Sequence, residues 1–560
     1  MDIKNRVLEA ELYFYVSRKG IFQKSEHRMS LKGGVCYMEL KQNVIHRKYK
    51  KCEAKNQITI GDDFSVPEGK PDIAAILQKK GELQVEEVHT EKGKIKIRGT
   101  LKVSVFYLAE RSTETANSLM MEIPFDETLY MEGAVSGDNL KIDWNIEELR
   151  VTIIHPGKLS VRGMVILCAE IVAVESHLIT ESVEEQPDVY TQTGSFQLAE
   201  PVIERRDSYR IRDEINLTVN KPNVQNILWK NQQLKGVDIR IQEGRLALKG
   251  EIQMLVVYQG EEDFSAVQWL EQTVPFQGSI DVTGLTAEMF GFIETEVSHQ
   301  SIEVKPDYDG EMRMLQLEMM LEVHMHIFEE RNCRYLIDAY STKEQLNLRS
   351  EEVFYEKLCM CNQTKIKVNG QEKLNEEVQI LQILGHQAGL TNKRWRLTEQ
   401  GILCEGTLEV QVLYVTASDN QPFGNTVVSI PYSQMIEIPQ MSKDDRVCIT
   451  QKIDQIYVTM AESSQMEVRG TLGFEICIMQ QCRLNNVKEI SAHSYDMEDY
   501  KKRPGMCIHF VQPKETLWQI AKENRTTAEE IKKLNDLSHE EILPGQKLLL
   551  LKRVDTPLTL

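Results

Sequence analysis

Three short stretches bring together residue types that could do chemistry. Cys359-Met360-Cys361 puts two thiols on one face of an extended strand, the beginning of a metal or redox site. Such a site needs at least two further ligands, and none is evident nearby, so core or surface cysteines are the plainer reading. His324-Met325-His326 shares a strand face in the same way. A two-histidine metal site stands there against exposed or hydrogen-bonded histidines. Glu175-Ser176-His177 holds an acid, a hydroxyl and an imidazole, but no GxSxG accompanies it. The absence of GxxxxGK[ST] removes that route to nucleotide. With no paired catalytic motif, the chain reads as a non-enzyme without cofactor or metal.

Composition narrows the partners. The 560 residues carry a net charge of −19, with 41% hydrophobic and 27% charged residues. A negative surface disfavours nucleic acid and anionic membranes and favours basic partners. The 11 cysteines are scattered, and none forms a CxxC pair, which fits a reducing compartment and unlinked thiols. No apolar run reaches the roughly 18 residues that span a bilayer. Residues 1–20 are broken by Lys4, Arg6, Glu9, Glu11, Arg18 and Lys19, which leaves no secretory h-region.

The scaffold is legible in an alternating stretch written three times. Arg98-Gly99-Thr100-Leu101-Lys102-Val103-Ser104-Val105-Phe106-Tyr107 returns as Lys249-Gly250-Glu251-Ile252 through Tyr258, and again as Glu405-Gly406-Thr407-Leu408 through Tyr414. Leu101, Val103, Val105 and Tyr107 share one strand face. Tyr258 follows Tyr107 by 151 residues and Tyr414 follows Tyr258 by 156, too long for a solenoid repeat, so each unit is a domain with its own core. Ile123-Pro124-Phe125, Val274-Pro275-Phe276 and Ile430-Pro431-Tyr432 keep the same period. Lys70-Pro71-Asp72 and Lys221-Pro222-Asn223 precede short apolar runs. Those at Ile73–Leu77 and Val378–Leu384 have helical spacing. Arg98-Gly99-Thr100-Leu101 and Arg469-Gly470-Thr471-Leu472 are identical although one opens and one closes a repeat, so each repeat is two related β halves. The glycines mark bulges or close backbone approach.

From Ile508 the texture changes. A short β signal closes at Gln512-Pro513, and Leu517, Ile520 and Ala521 then share a helical face. Thr527 with Glu530 makes a capping box for a second helix. Pro544-Gly545 turns the chain into the strand Gln546–Leu551. The β-α-α-β order, with Val511, Pro513, Thr516, Leu517, Ile520, Ala521, Leu534, Asn535, Leu537, Gly545, Gln546 and Leu548, resembles a LysM domain. That resemblance implies a shallow groove for N-acetylglucosamine glycans between two loops, here Lys514, Glu515, Thr516, Leu517 and Trp518 on one side and Asn535, Asp536, Leu537 and Ile542 on the other. The first loop usually reads Gly-Asp-Thr; here it reads Lys514-Glu515-Thr516, whose lysine crowds a flat sugar. The groove therefore holds a protein or a glycan. Trp518 is either partial core or an interface anchor.

Pro71-Asp72-Ile73, Ile76-Leu77, Arg98-Gly99 to Tyr107 and Ile123-Pro124-Phe125 resemble the SPOCS domain of spore-coat-related proteins. Tandem SPOCS domains with a terminal LysM resemble SipL-type coat morphogenetic proteins. The resulting fold expectation is mainly β and multidomain: three tandem β-sandwich or barrel-like repeats at 38–185, 186–335 and 336–493, a linker at 494–506, and a small LysM domain at 507–552. Residues 1–37 read as a poorly ordered extension or a mis-called start, and 553–560 as a tail. The resemblance implies a scaffold in the mother-cell cytoplasm that assembles on the forespore surface. It implies docking through LysM on the coat-basement ATPase, stage IV sporulation protein A, and recruitment of other coat proteins. A peptidoglycan-binding protein of cortex or wall is the alternative.

Overall fold

The computed structural model describes residues 31–552 apart from 33–34, 111–114, 262–266, 375–378, 419–420, 439–440, 463, 496–497, 499–501 and 503. The first repeat has six antiparallel strands: Leu40–Ser65, Ile73–Glu91, Lys94–Ala109, Ala116–Tyr130, Leu140–His155 and Lys158–Val183. They make two three-stranded sheets. The second, third and fourth strands form one, with the third central; the first, sixth and fifth form the other, with the sixth central. The same six strands and pairings recur from Val189–Asn216 to Met312–Ser341 and from Glu344–Lys373 to Gln465–Ser494. The alternating stretch is the central third strand. Its Leu101, Val103, Val105 and Tyr107 face Val161, Val165 and Leu167 of the other sheet in a closed core. Arg469-Gly470-Thr471-Leu472 lies on the sixth strand of repeat 3, central to its own sheet, so the two related halves of a repeat are its two sheets.

The glycine and Pro-aromatic motifs are one device. Gly99 lies directly opposite Phe125 across the ladder, Gly250 opposite Phe276 and Gly406 opposite Tyr432. Each aromatic ring lies over a bare glycine; a Cβ on Gly99 would stand 2.8 Å from the Phe125 ring and 2.2 Å from the Gln84 carbonyl oxygen. The preceding proline sits on an edge strand, where its missing N–H costs no ladder bond. The repeat tyrosines are structural too. The Tyr107 hydroxyl donates to the Pro71 carbonyl (3.0 Å) and that of Tyr258 to the Pro222 carbonyl (3.3 Å).

Two expectations are corrected, both of helical spacing. Ile73–Leu77 is the start of a strand, not a helical turn. Register shifts after Ile73 and Ile76 place Ile73 in the repeat core and Leu77 in a second core on the other face, so two bulges mimic helical spacing. The third-repeat counterpart is the strand Ile380–Thr398; Val378 lies outside the described residues. The strand Met312–Ser341 runs straight through the expected 335/336 junction, because its outer half stays paired with Val189–Asn216 as far as Ser341. Of the expected extension, residues 1–30 lie outside the described residues, whereas Cys36 and Tyr37 pair with Ala492 and Ser491.

Each repeat has its own core, and further cores are shared between the repeats. The strand 1–strand 6 pairs run up to 30 residues, far past the shorter fifth strand. Each excess forms a two-stranded ribbon, an element marginal alone. The three ribbons bury each other: Ile45 and Ile179 of repeat 1 meet Phe196 and Leu198 of repeat 2 and Val353 and Leu484 of repeat 3. The outer faces of the smaller sheets meet likewise through equivalent positions, Leu77, Leu228 and Leu384 with Phe106, Val257 and Leu413. The fourth strand of repeat 1 touches the second strand of repeat 2, repeat 2 touches repeat 3 in the same way, and repeat 3 returns to repeat 1. The result is a closed ring with internal pseudo-threefold symmetry. Polar side chains stitch its seams. Asn486 of repeat 3, 1% exposed, accepts from the Thr180 N–H and donates to the Leu178 carbonyl of repeat 1. Gln233 of repeat 2 accepts from the Ala388 N–H and donates to its carbonyl.

Two seam histidines give a pH dependence. His386, between Lys235 (3.2 Å) and Gln253 (3.4 Å), is pushed down to about 3 by burial and then by the Lys235 ammonium. Burial, with Lys48 next in weight, pushes His326 down to about 4. Both are neutral in the native state below the pH at which an unfolded histidine, near 6.5, takes a proton. Stability is therefore intact above pH 6.5 and falls as pH drops from 6.5 towards 4 and then 3. Thermal melts across this range should show a falling midpoint, with a shallower slope in His386→Gln.

Candidate functional site

The three stretches that could do chemistry are built into the scaffold. Cys361 faces Cys477 on the neighbouring strand, Cα atoms 4.3 Å apart with their sulfur atoms adjacent, because strand register brings together cysteines 116 residues apart. Cys448 lies opposite Cys477 on its other side. His324 and His326 do share a strand face. Among the described residues no group of three or more potential metal ligands gathers there. Glu175 and His177 pair at 3.2 Å, while Ser176 points to the opposite face, out of reach of that imidazole. A cleft of about 350 Å³ opens between repeats 2 and 3. Its charges are spent on each other: Lys365 with Asp454 (2.6 Å), Arg240 with Asp238 (2.9 Å) and Lys452 with Glu475.

The C-terminal module is the remaining candidate. Strands Met506–Phe510 and Lys547–Leu551 pair antiparallel, and two helices, α1 (Leu517–Asn524) and α2 (Ala528–Leu534), connect them. Both helices start with a capping box, Thr516 with Gln519 and Thr527 with Glu530, which satisfies N–H groups that a short helix otherwise leaves orphaned. Val511, Leu517, Ile520, Ala521, Ile531, Leu548 and Leu550 form the core.

The expected groove residues separate by role. Leu517 is core, and Leu537 and Ile542 pack against it. Asn535 latches α2 to the last strand: its side chain accepts from the Leu549 N–H (2.7 Å) and donates to the Leu549 and Ile531 carbonyls (both 2.9 Å). Lys514 adopts φ +68°, the left-handed conformation that glycine takes without strain, so the loop shape survives the loss of glycine. Thr516 is spent on the cap. Glu515 accepts from the Gln512 N–H (2.8 Å) and pairs with His509 (2.9 Å). Burial opposes ionisation there, but these two partners outweigh it and hold the carboxyl below its ordinary value. Lys514 and Asp536 remain exposed at the rim.

Trp518 points away from the groove. Its Nε1–H donates to Asp338 of repeat 2 (2.9 Å), and its ring meets Tyr340 edge to face, centroids 4.8 Å apart. Lys522, one helical turn on, pairs with the same carboxylate at 2.7 Å. The Tyr340 hydroxyl donates to the Thr526 carbonyl (3.0 Å), and Arg525 lies over the Tyr495 ring. Asp338 follows a register shift, and such a bulge re-aims a side chain out of the ladder. Trp518 is thus an interface anchor within the chain, clamping α1 to the end of the repeat 2 ribbon. Nothing in the sequence ties Asp338 or Tyr340 to a helix 180 residues later, so sequence reasoning missed both. Trp518→Ala should cost the clamp about 2 kcal/mol. Hydrogen exchange in the strand around Tyr340 and in α1 should rise together, with the module still folded.

A family model described as SipL, SPOCS domain matches residues 72–154, 223–305 and 379–461. A LysM model matches 509–550. No curated protein and no solved structure matches the chain. In the first repeat the SPOCS match spans the second to fifth strands and leaves out the two long ribbon strands. Both domain types are non-catalytic. The chain is a tandem SPOCS protein of the SipL type, spore-coat-related, and it ends in a LysM module of the peptidoglycan-binding kind.

Proposed function

We propose that this protein is a structural adaptor of spore coat assembly. In this reading it joins the coat in the mother-cell cytoplasm, docks through its LysM module on the coat-basement ATPase at the forespore surface, and offers its repeats to further coat proteins. The observation that carries the reading is the state of the groove. Lys514 stands where a sugar-contacting glycine is usual, and Glu515 and Thr516 beside it are occupied by internal hydrogen bonds. The clamp on repeat 2 adds support, since a module fixed to a rigid ring can hold a partner in a set orientation. Full-length protein should retain the purified ATPase in a pull-down, and a chain ending at Ser494 should not. Equal retention by both would remove LysM from the docking step.

The second reading, binding to N-acetylglucosamine glycans of peptidoglycan, draws on the left-handed Lys514, which preserves the loop's path. Sedimentation of the full chain with purified peptidoglycan, undiminished by Lys514→Ala and with no retention of the ATPase, would favour it.

A further inference from the structure

The small sheet of the LysM module has one covered face and one bare face. Cys507, His509, Leu548 and Leu550 point inward, towards the two helices. On the outer face, three cross-strand pairs stand in a row: Met506 with Leu551, Ile508 with Leu549 and Phe510 with Lys547. Five of these six side chains are apolar, yet Met506 is 59% exposed, Ile508 60% and Phe510 53%. Singly exposed apolar residues are ordinary, whereas a contiguous apolar row on one face marks an interaction surface. The clamp on repeat 2 uses α1 and leaves this face free.

Charge selects the occupant. Lys547 makes no ion pair among the described residues; its ammonium rests 5.6 Å from the centre of the Phe510 ring, at one end of the row. A partner that covers the apolar row must meet this cation, and a carboxylate does so favourably. The row is five residues long, about 16 Å at ~3.3 Å per residue, which matches about 11 residues of helix at 1.5 Å each. A sheet with helices on one face commonly takes a helix on the other. A second copy of this chain is disfavoured by the net charge of −19, which repels like copies.

We infer that the outer face of the LysM sheet, centred on Ile508 and Phe510, docks an amphipathic helix of a protein partner that carries a carboxylate beside its apolar stripe, opposite Lys547. The inference rests on the docking reading above and moves the contact from the groove to the sheet. All three substitutions used to test it are at exposed positions, so the fold should persist, as an unchanged circular dichroism spectrum and melting midpoint will show.

The test measures the affinity of the full-length protein for the purified coat-basement ATPase. Ile508→Glu and Phe510→Glu should each weaken binding at least tenfold and Lys547→Glu at least threefold. Wild-type affinity in both Ile508→Glu and Phe510→Glu, with loss in Lys514→Ala, overturns the face and returns the contact to the groove; the docking reading then survives. No binding by the wild-type chain overturns both. A wild-type dimer in light scattering that Ile508→Glu converts to monomer would overturn the helix as occupant in favour of a second copy.

Discussion

Gly99→Val should prevent the first repeat from closing. The new Cβ would stand 2.2 Å from the Gln84 carbonyl oxygen and 2.8 Å from the Phe125 ring. The carbonyl belongs to the backbone of the adjacent strand and cannot rotate away. Relief requires the ladder to part at the middle of the central strand, which also withdraws Leu101 from the core. The expected cost is about 4 kcal/mol or more, a large share of a stability typically of 5–15 kcal/mol. Denaturant titration should show a strongly lowered midpoint. Phe125→Ala should cost about 3 kcal/mol, and the double variant Gly99→Ala/Phe125→Ala should cost less than the sum of the two single changes, because each removes the other's partner. Strict additivity would mean that ring and glycine are not one device.

Val257→Asp should break the ring as a whole. Val257 is fully buried on the outer face of the repeat 2 small sheet, where it meets Phe106 and Leu413 at the equivalent positions. A carboxylate there has no partner and is taken out of water, a loss of about 4 kcal/mol or more. The side chain points away from the core of its own repeat, so a repeat standing alone would tolerate the change. If the three repeats are one cooperative body, unfolding of the variant should shift in amide protection across all three. A loss of protection confined to residues 189–341 would show that the repeats are independent.

The local pattern was readable and the assembly was not. Alternation on Leu101, Val103, Val105 and Tyr107 defines the central strand, because side chains on a strand have a strict period of two. The two capping boxes and the β-α-α-β order follow from local chemistry in the same way. Ile73–Leu77 misled because bulges reset the period, and because both faces of that strand are buried there. The ring was invisible because Phe106, Val257 and Leu413 look like the solvent-side residues of an alternating strand; only tertiary packing buries them. The Cys361–Cys477 pairing was hidden for a similar reason, since register and not spacing brings the two cysteines together. In the module, Leu517, Leu537 and Ile542 of the expected groove serve the core and Asn535 serves the latch, roles that packing sets and local spacing does not reveal. Trp518 was recognisable as a possible anchor, while its partners Asp338 and Tyr340 were not.

The central claim is that the LysM module of this chain grips protein and not sugar. Isothermal titration of the full-length protein against the purified coat-basement ATPase, and separately against N-acetylglucosamine oligomers, tests it most directly. Saturable heat with the ATPase and none with the oligomers is the predicted result. Saturable heat with the oligomers, kept in Lys514→Ala, and no heat with the ATPase would contradict it.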